Sequence, residues 1–335
     1  MANQKSKVLI TSLIIIVIIG AIIFYGTNQK EQEQLNIGIM QIVEHPSLDA
    51  ARDGFIDVLS ENGYKKGEDI SYDIQNAQGD MSNANTIAKK FSNDNPDLIL
   101  SIATPTSQAA ANTIKDIPIL ITAVTAPKET GLVKSLDKPG TNVTGTSDLT
   151  PVGGQLELLT QIDSDVKDVG IIYNPGELNS QVQAQKTEEE CNKLDLNLIK
   201  ATADKSSNVQ QAAQSLVEKV DAIYVFTDNT VVSALESVIQ VAEDNDIPLL
   251  VGEPDSVKRG GLATKGLSYY ELGRKTGEMA LKIIEEDAKP KNMPIQYIDK
   301  SKLKLVVNEK AAQNMGVEIP QTIKDKADEV IKLEK

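Results

Sequence analysis

The sequence has no tryptophan, one cysteine (Cys191), one histidine (His45) and only four phenylalanines in 335 residues. A single cysteine allows no disulfide within the chain. One cysteine and one histidine cannot assemble a Cys/His zinc cluster. No DxDxDG-type calcium loop occurs, and no metal site is expected, although composition alone leaves carboxylate-bound calcium or magnesium open. Positive charge is also scarce. Lys and Arg number 34 against 48 Asp and Glu, the net charge is -14, and no basic block of five or more residues is present. Nucleic-acid affinity rests chiefly on cations that displace counterions, so nucleic acid is not an expected partner.

Catalytic signatures are missing too. No G-x-S-x-G places a nucleophile on an elbow. No G-x-G-x-x-G follows a strand pattern, and although Gly261 to Gly266 has phosphate-loop spacing, Leu267 stands where a Walker A lysine belongs. The chain therefore reads as neither an ATPase nor any other enzyme, with no catalytic residues and no cofactor. His45 invites a catalytic role but lacks partners, and the plain reading is a loop residue beside a helix. Cys191 sits in a polar helical stretch and reads as a partly buried, inert thiol.

What is present is a packed globular composition, 40% hydrophobic and 24% charged, long enough for two domains. Residues 8–25 form an almost unbroken apolar run, interrupted only by Thr11, Ser12 and Gly20. As a helix it would rise about 27 Å, near the thickness of a hydrocarbon core. Lys5 and Lys7 precede it, which predicts a cytoplasmic tail 1–7, a membrane-spanning anchor 8–25 and a linker 26–34 leading to an extracytoplasmic body. A cleaved signal segment is the rival reading, and no A-x-A site supports it near Ala21 to Thr27.

From Leu35 onward, buried-strand patterns alternate with helical ones, and the order repeats from about Val166. Asp221-Ala222-Ile223-Tyr224-Val225-Phe226 answers Asp97-Leu98-Ile99-Leu100-Ser101-Ile102. Asp246-Ile247-Pro248 answers Asp116-Ile117-Pro118, each opening the fourth strand of its half. The fold class is α/β, with two doubly wound parallel-sheet lobes covered by helices on both faces. Right-handed crossovers bring strand carboxyl ends to one edge, where ligands of such sheets bind. Two lobes facing each other make a hinged clamp.

Candidate ligand residues follow the strands. Ser47 lies after the first strand, and Thr104, Thr106 and Ser107 after the third. Thr125 follows the fourth. The second half supplies Asn179, Asp228, Asn229 and Glu253. A hydroxyl-rich helix N-terminus suits a carboxylate, although ordinary capping explains the same residues. Opposing acids suit an ammonium group. Together they describe the two ends of an α-amino acid gripped by different lobes.

These loops resemble one family. His45-Pro46-Ser47-Leu48-Asp49, Ile102-Ala103-Thr104-Pro105 with Gln108-Ala109, the run Pro139 to Asp148, Thr227-Asp228-Asn229-Thr230 and Gly260-Gly261-Leu262-Ala263-Thr264 are similar to tryptophan/tyrosine-type ABC transporter substrate-binding proteins. The resemblance implies a type I periplasmic-binding fold with crossovers near Asp148, Lys265 and Asn292. That places 35–147 and 267–292 in lobe 1, and 148–266 and 293–335 in lobe 2. It implies an aromatic L-amino acid as ligand, and an ABC permease with a separate ATPase as partners. It lends ligand-contacting roles to Thr104, Thr106, Ser107, Thr125 and Asp228, and brings Asp148 into the candidate set. Ala126 departs from the pattern, standing where relatives often carry Asp before Pro127. The chain also lacks the lipid-modified cysteine many relatives carry. A nucleoside or sugar ligand is the alternative, which the lack of tryptophan weakens. A sensing module of the same fold is another, set against a tail too short to hold a signalling domain.

Overall fold

The computed structural model describes residues 34–332. The expected tail 1–7, anchor 8–25 and nearly all of the linker 26–34 lie outside the described residues. Among those described, no helix is long and apolar enough to cross a membrane.

The first half runs β1 (Leu35–Gln41), α1 (Pro46–Glu61), β2 (Ile70–Asn76), α2 (Met81–Asp94), β3 (Leu98–Ile102), α3 (Thr104–Thr113), β4 (Ile119–Thr122) and β5 (Val143–Ser147). Inner strands β3, β4 and β5 are buried along their whole length, as helices on both faces of a parallel sheet require. Local chemistry sets the helix starts. Pro46 opens α1, where its missing N–H costs nothing. The Asp80 carboxylate caps α2 by accepting from the Ser82 and Asn83 amides.

The second half runs α4 (Val152–Ile162), β6 (Asp168–Tyr173), α5 (Leu178–Lys193), β7 (Asn197–Thr202), α6 (Val209–Gln214), β8 (Ala222–Val225), α7 (Asn229–Ser233), α8 (Leu235–Asp244), β9 (Leu249–Val251), α9 (Pro254–Arg259) and β10 (Ala263–Gly266). The chain then returns through α10 (Tyr269–Glu286) and β11 (Gln296–Tyr297). It finishes with β12 (Lys304–Asn308), α11 (Glu309–Asn314), α12 (Gln321–Lys324) and β13 (Glu329–Ile331).

Two sheets result, ordered β11-β5-β4-β3-β1-β2 and β13-β12-β10-β9-β8-β6-β7. Each has its own apolar core. Every pairing is parallel except β10 with β12, where Ala263 faces Val307 and Gly266 faces Lys304. The fully parallel second sheet expected from the repeat is corrected at this strand. The chain re-enters the lobe at the hinge end, where β10 finishes, so β12 runs back along it. The third crossing also falls later than the expected Asn292. Gln296 and Tyr297 still pair with Thr146 and Ser147 of the first sheet.

Helix α10 packs across α1 at near backbone contact. A Cβ on Gly273 would sit 1.9 Å from the Ala51 carbonyl oxygen, and one on Gly54 would sit 2.2 Å from that of Tyr270. Both glycines are therefore steric requirements of the helix crossing, which fixes where α10 begins. Cys191 is buried in the second lobe, and burial pushes its thiol up to about 11, which keeps it protonated and unreactive.

Candidate ligand-binding cleft

The carboxyl ends of the two sheets face one another around a nearly shut cleft with a cavity volume of about 10 Å³. That is room for about one water, so the two lobes are drawn close together here. His45, Ser47, Leu48, Ala123 and Thr125 line it from the first lobe. Asn179, Thr227, Asp228, Asn229, Val232 and Glu253 line it from the second, and Asp148 and Tyr269 from the hinge.

The backbone is strained where it meets this space. Ala103 after β3 has φ 78 and Ala123 after β4 has φ 55, both in the left-handed region that L-residues with a Cβ avoid. Ala103 hydrogen-bonds to the Thr122 carbonyl, so the two bends lie side by side. Thr104 is the first residue of α3, and its Oγ1 is buried without a partner. Thr106 and Ser107 are placed differently. The Thr106 hydroxyl donates to the Ile102 carbonyl at 2.6 Å, and the Ser107 hydroxyl donates to the Ala103 carbonyl at 2.7 Å. Both hydroxyls turn back onto the end of β3 and the residue before α3, and none of Thr104, Thr106 and Ser107 lines the cavity.

Asp228 caps α7, accepting from the Val231 amide at 2.8 Å, and its other oxygen accepts from the Asn174 amide at 2.7 Å. Burial and the neighbouring Glu177 carboxylate push Asp228 well above the usual carboxylate range. Glu177, not foreseen from the sequence, is the hub of this wall. It accepts from Thr230 Oγ1 at 2.9 Å, from Asn179 Nδ2 at 3.3 Å and from Asn229 Nδ2. Those bonds leave the Asn179 carbonyl oxygen buried and unpaired.

Glu253 bridges the lobes. Its Oε1 accepts from Ser47 Oγ at 2.9 Å across the cleft and from Ser256 Oγ in its own helix. Its Oε2 is buried without a partner. At the hinge, the Tyr269 hydroxyl donates to Asp148 Oδ2 at 2.6 Å, while Asp148 Oδ1 stays unpaired. Burial raises the Asp148 carboxyl.

Among the described residues, neither Lys nor Arg lines the cavity. His45 adds no charge, because burial, with Arg259 nearby, lowers it to about 3. Its Nδ1 is also unpaired. Three buried carboxyls, Asp148, Asp228 and Glu253, thus line the cleft, with a fourth, Glu177, buried behind them and several polar atoms unsatisfied. Buried polar groups are normally satisfied, which singles these atoms out as candidate ligand contacts.

Tyr269 and His45 were absent from the candidates read in the sequence. The strand-end rule would have reached Tyr269 if extended to the turn after β10. His45 lies in a loop already singled out, and nothing in its sequence context shows which way the ring points.

A family model for ABC transporter substrate binding proteins matches residues 36–331. A tyrosine-binding protein of Clostridioides difficile is 43% identical over 318 residues, covering 91% of this chain and 91% of the relative. A solved ABC domain from Streptococcus pneumonia in complex with L-Trp superposes with a TM-score of 0.85 at 34% identity, covering 89% of this chain and 100% of that one. The ligand-free, open structure of a Clostridium difficile substrate binding protein with adhesive properties gives 0.66 at 44% identity, covering 90% and 100%.

Proposed function

This chain belongs to the ABC transporter substrate binding protein family, and we propose that its crevice closes on one aromatic L-amino acid for delivery to a membrane permease with a separate ATPase. One observation carries the reading. Buried acceptor oxygens without partners, Asp148 Oδ1, Asn179 Oδ1 and Glu253 Oε2, converge on one cleft between the lobes. An ammonium group has three N–H donors and no acceptor, which is what such a wall lacks. The N-terminus of α3, whose Thr104 hydroxyl is buried and unpartnered outside the cavity lining, is the place this reading assigns to the carboxylate. Asp228 shapes the loop that presents Asn229, and its charge adds to the cation preference.

Whole-chain superposition supports capture by closure. The chain superposes better on the L-Trp complex than on the open, ligand-free relative, although the open relative is closer in sequence. A hinged clamp stabilised by its ligand behaves in this way.

A thermal-shift screen of amino acids, nucleosides and sugars tests the reading. Ligand at about 100 times its Kd stabilises by about 2.7 kcal/mol, which raises the melting temperature by several degrees. Stabilisation by aromatic L-amino acids is the expected outcome. A screen in which only nucleosides or sugars stabilise would overturn the ligand assignment. For location, the reading is an extracytoplasmic body held by residues 8–25. Intact-mass measurement of the membrane-associated protein tests that, because cleavage after this segment would remove the anchor.

A further inference from the structure

Glu253 stands at the start of α9, yet its side chain does not cap that helix. It spends Oε1 on two serine hydroxyls, one of them Ser47 on the opposite lobe, and leaves Oε2 buried and unpartnered. Closure is therefore what completes its burial.

The charges around it are few and mostly negative. From the loop before α1 comes His45, and from the hinge come Asp148 and the Tyr269 hydroxyl. From the loop after β8 comes Asp228, with Glu177 behind it. Its own helix contributes Asp255 and Arg259. Arg259 is the one cation whose field reaches Glu253, and its guanidinium is already engaged by Glu236 and the Val232 carbonyl.

An α-amino acid brings one ammonium to three buried carboxyls. Asp228 has two backbone amides within its own lobe, and Asp148 has the Tyr269 hydroxyl at the hinge. Glu253 has two neutral serine hydroxyls and the field of an already engaged Arg259, and it is the one of the three tied to the opposite lobe by a direct bond.

We propose that Glu253 enters the closed crevice as a neutral carboxylic acid, so that ligand capture takes up one proton from solution. This rests on the amino-acid reading of the crevice. The proton reaches the carboxylate while the cleft is open, and an O–H bond forms at Oε2. That hydroxyl is a donor in a wall whose other unpartnered atoms include Asp148 Oδ1 and Asn179 Oδ1. Burial raises the Glu253 carboxyl, with Ser256 and Ser47 drawing it partly back. The closed form then binds more protons than the open form, so affinity rises as pH falls.

The experiment is calorimetric titration of the protein with L-tryptophan and L-tyrosine at about pH 6, above the ordinary carboxylate range, in buffers of different ionisation enthalpy. The expected result is uptake of about one proton per ligand, with Kd weakening by up to about tenfold per pH unit as pH rises. Equal heats in every buffer, or proton release, would overturn the inference while leaving the ligand reading intact. No heat with either amino acid in any buffer would remove the ligand reading and the inference together.

Glu253→Gln should lose the buffer dependence. Full uptake retained in E253Q would place the proton on another acid and defeat the assignment. A folded E253Q that no longer binds would show that the ionised form is the working one, with the same effect. Infrared difference spectra of the unmodified protein read the same event without any variant. A protonated-carboxyl stretch should appear on adding ligand, and its absence would overturn the proposal.

Discussion

Ser47→Ala tests the clamp at its narrowest point. The substitution removes one oxygen, which donates to Glu253 Oε1 at 2.9 Å across the cleft. Ser47 is buried in the first turn of α1, and Ala is at least as good a helix former there. Glu253 Oε1 keeps its second donor, Ser256 Oγ, so no acceptor is orphaned. The loss is then that of one ordinary buried hydrogen bond, about 1 kcal/mol, and not the larger cost of abandoning a buried charge. In the open clamp both side chains face water, so the effect falls on the closed form. Affinity should weaken about fivefold, since 1.4 kcal/mol corresponds to tenfold. Calorimetry on Ser47→Ala and on the double variant with Glu253→Gln measures the coupling directly. An affinity within twofold of the parent would show that the bond does not contribute to closure. A loss above about a hundredfold would show a charge-assisted bond, contrary to the neutral-acid account.

Asp228→Ala should weaken amino-acid binding at least about tenfold, because it deletes the α7 cap and the tie to the Asn174 amide together. Unchanged calorimetric affinity would remove Asp228 from the site. Gly273→Ala should destabilise the protein by about 3 kcal/mol, because the new methyl group would overlap the Ala51 carbonyl. An unaltered melting temperature in calorimetric scans would contradict that packing. The pH dependence of stability has a definite sign. Asp148 and Asp228 are raised by burial, so the native state binds more protons than the unfolded chain, whose carboxyls titrate near pH 4. Their contribution is present in acid and is lost as pH rises from about 4 through the raised values. Asp228→Asn should therefore lose less stability than the parent between about pH 5 and pH 8, read from urea midpoints, and an identical loss would refute it.

Much of the architecture was legible along the chain because it depends on local period and on repetition. The paired segments Asp97–Ile102 and Asp221–Phe226 carry buried strands β3 and β8, and the two D-I-P tripeptides precede β4 and β9. Once strands and helices alternate, handedness of connection places their carboxyl ends at one edge, so the loops around Ser47, Thr125, Asn179, Asp228 and Glu253 could be singled out before any coordinates. What the loops could not disclose is side-chain direction. Thr104, Thr106 and Ser107 look alike in sequence, yet two of the three hydroxyls bond back to the end of β3 and the residue after it. The Ala103 backbone beside them also takes a positive φ, which no residue type announces.

Contacts between distant segments required the tertiary structure. Ser47 meets Glu253 across 206 residues, and Tyr269 meets Asp148 across 121. Both depend on how far the lobes close and on where α10 lands against α1 through Gly54 and Gly273. The sequence by itself determined a duplicated α/β clamp with its working loops at the strand ends, because period and repetition are local properties. Only the folded chain decided which buried oxygens stay unpaired and which acids are crowded together. Those depend on desolvation and on distances between parts that the linear order does not relate.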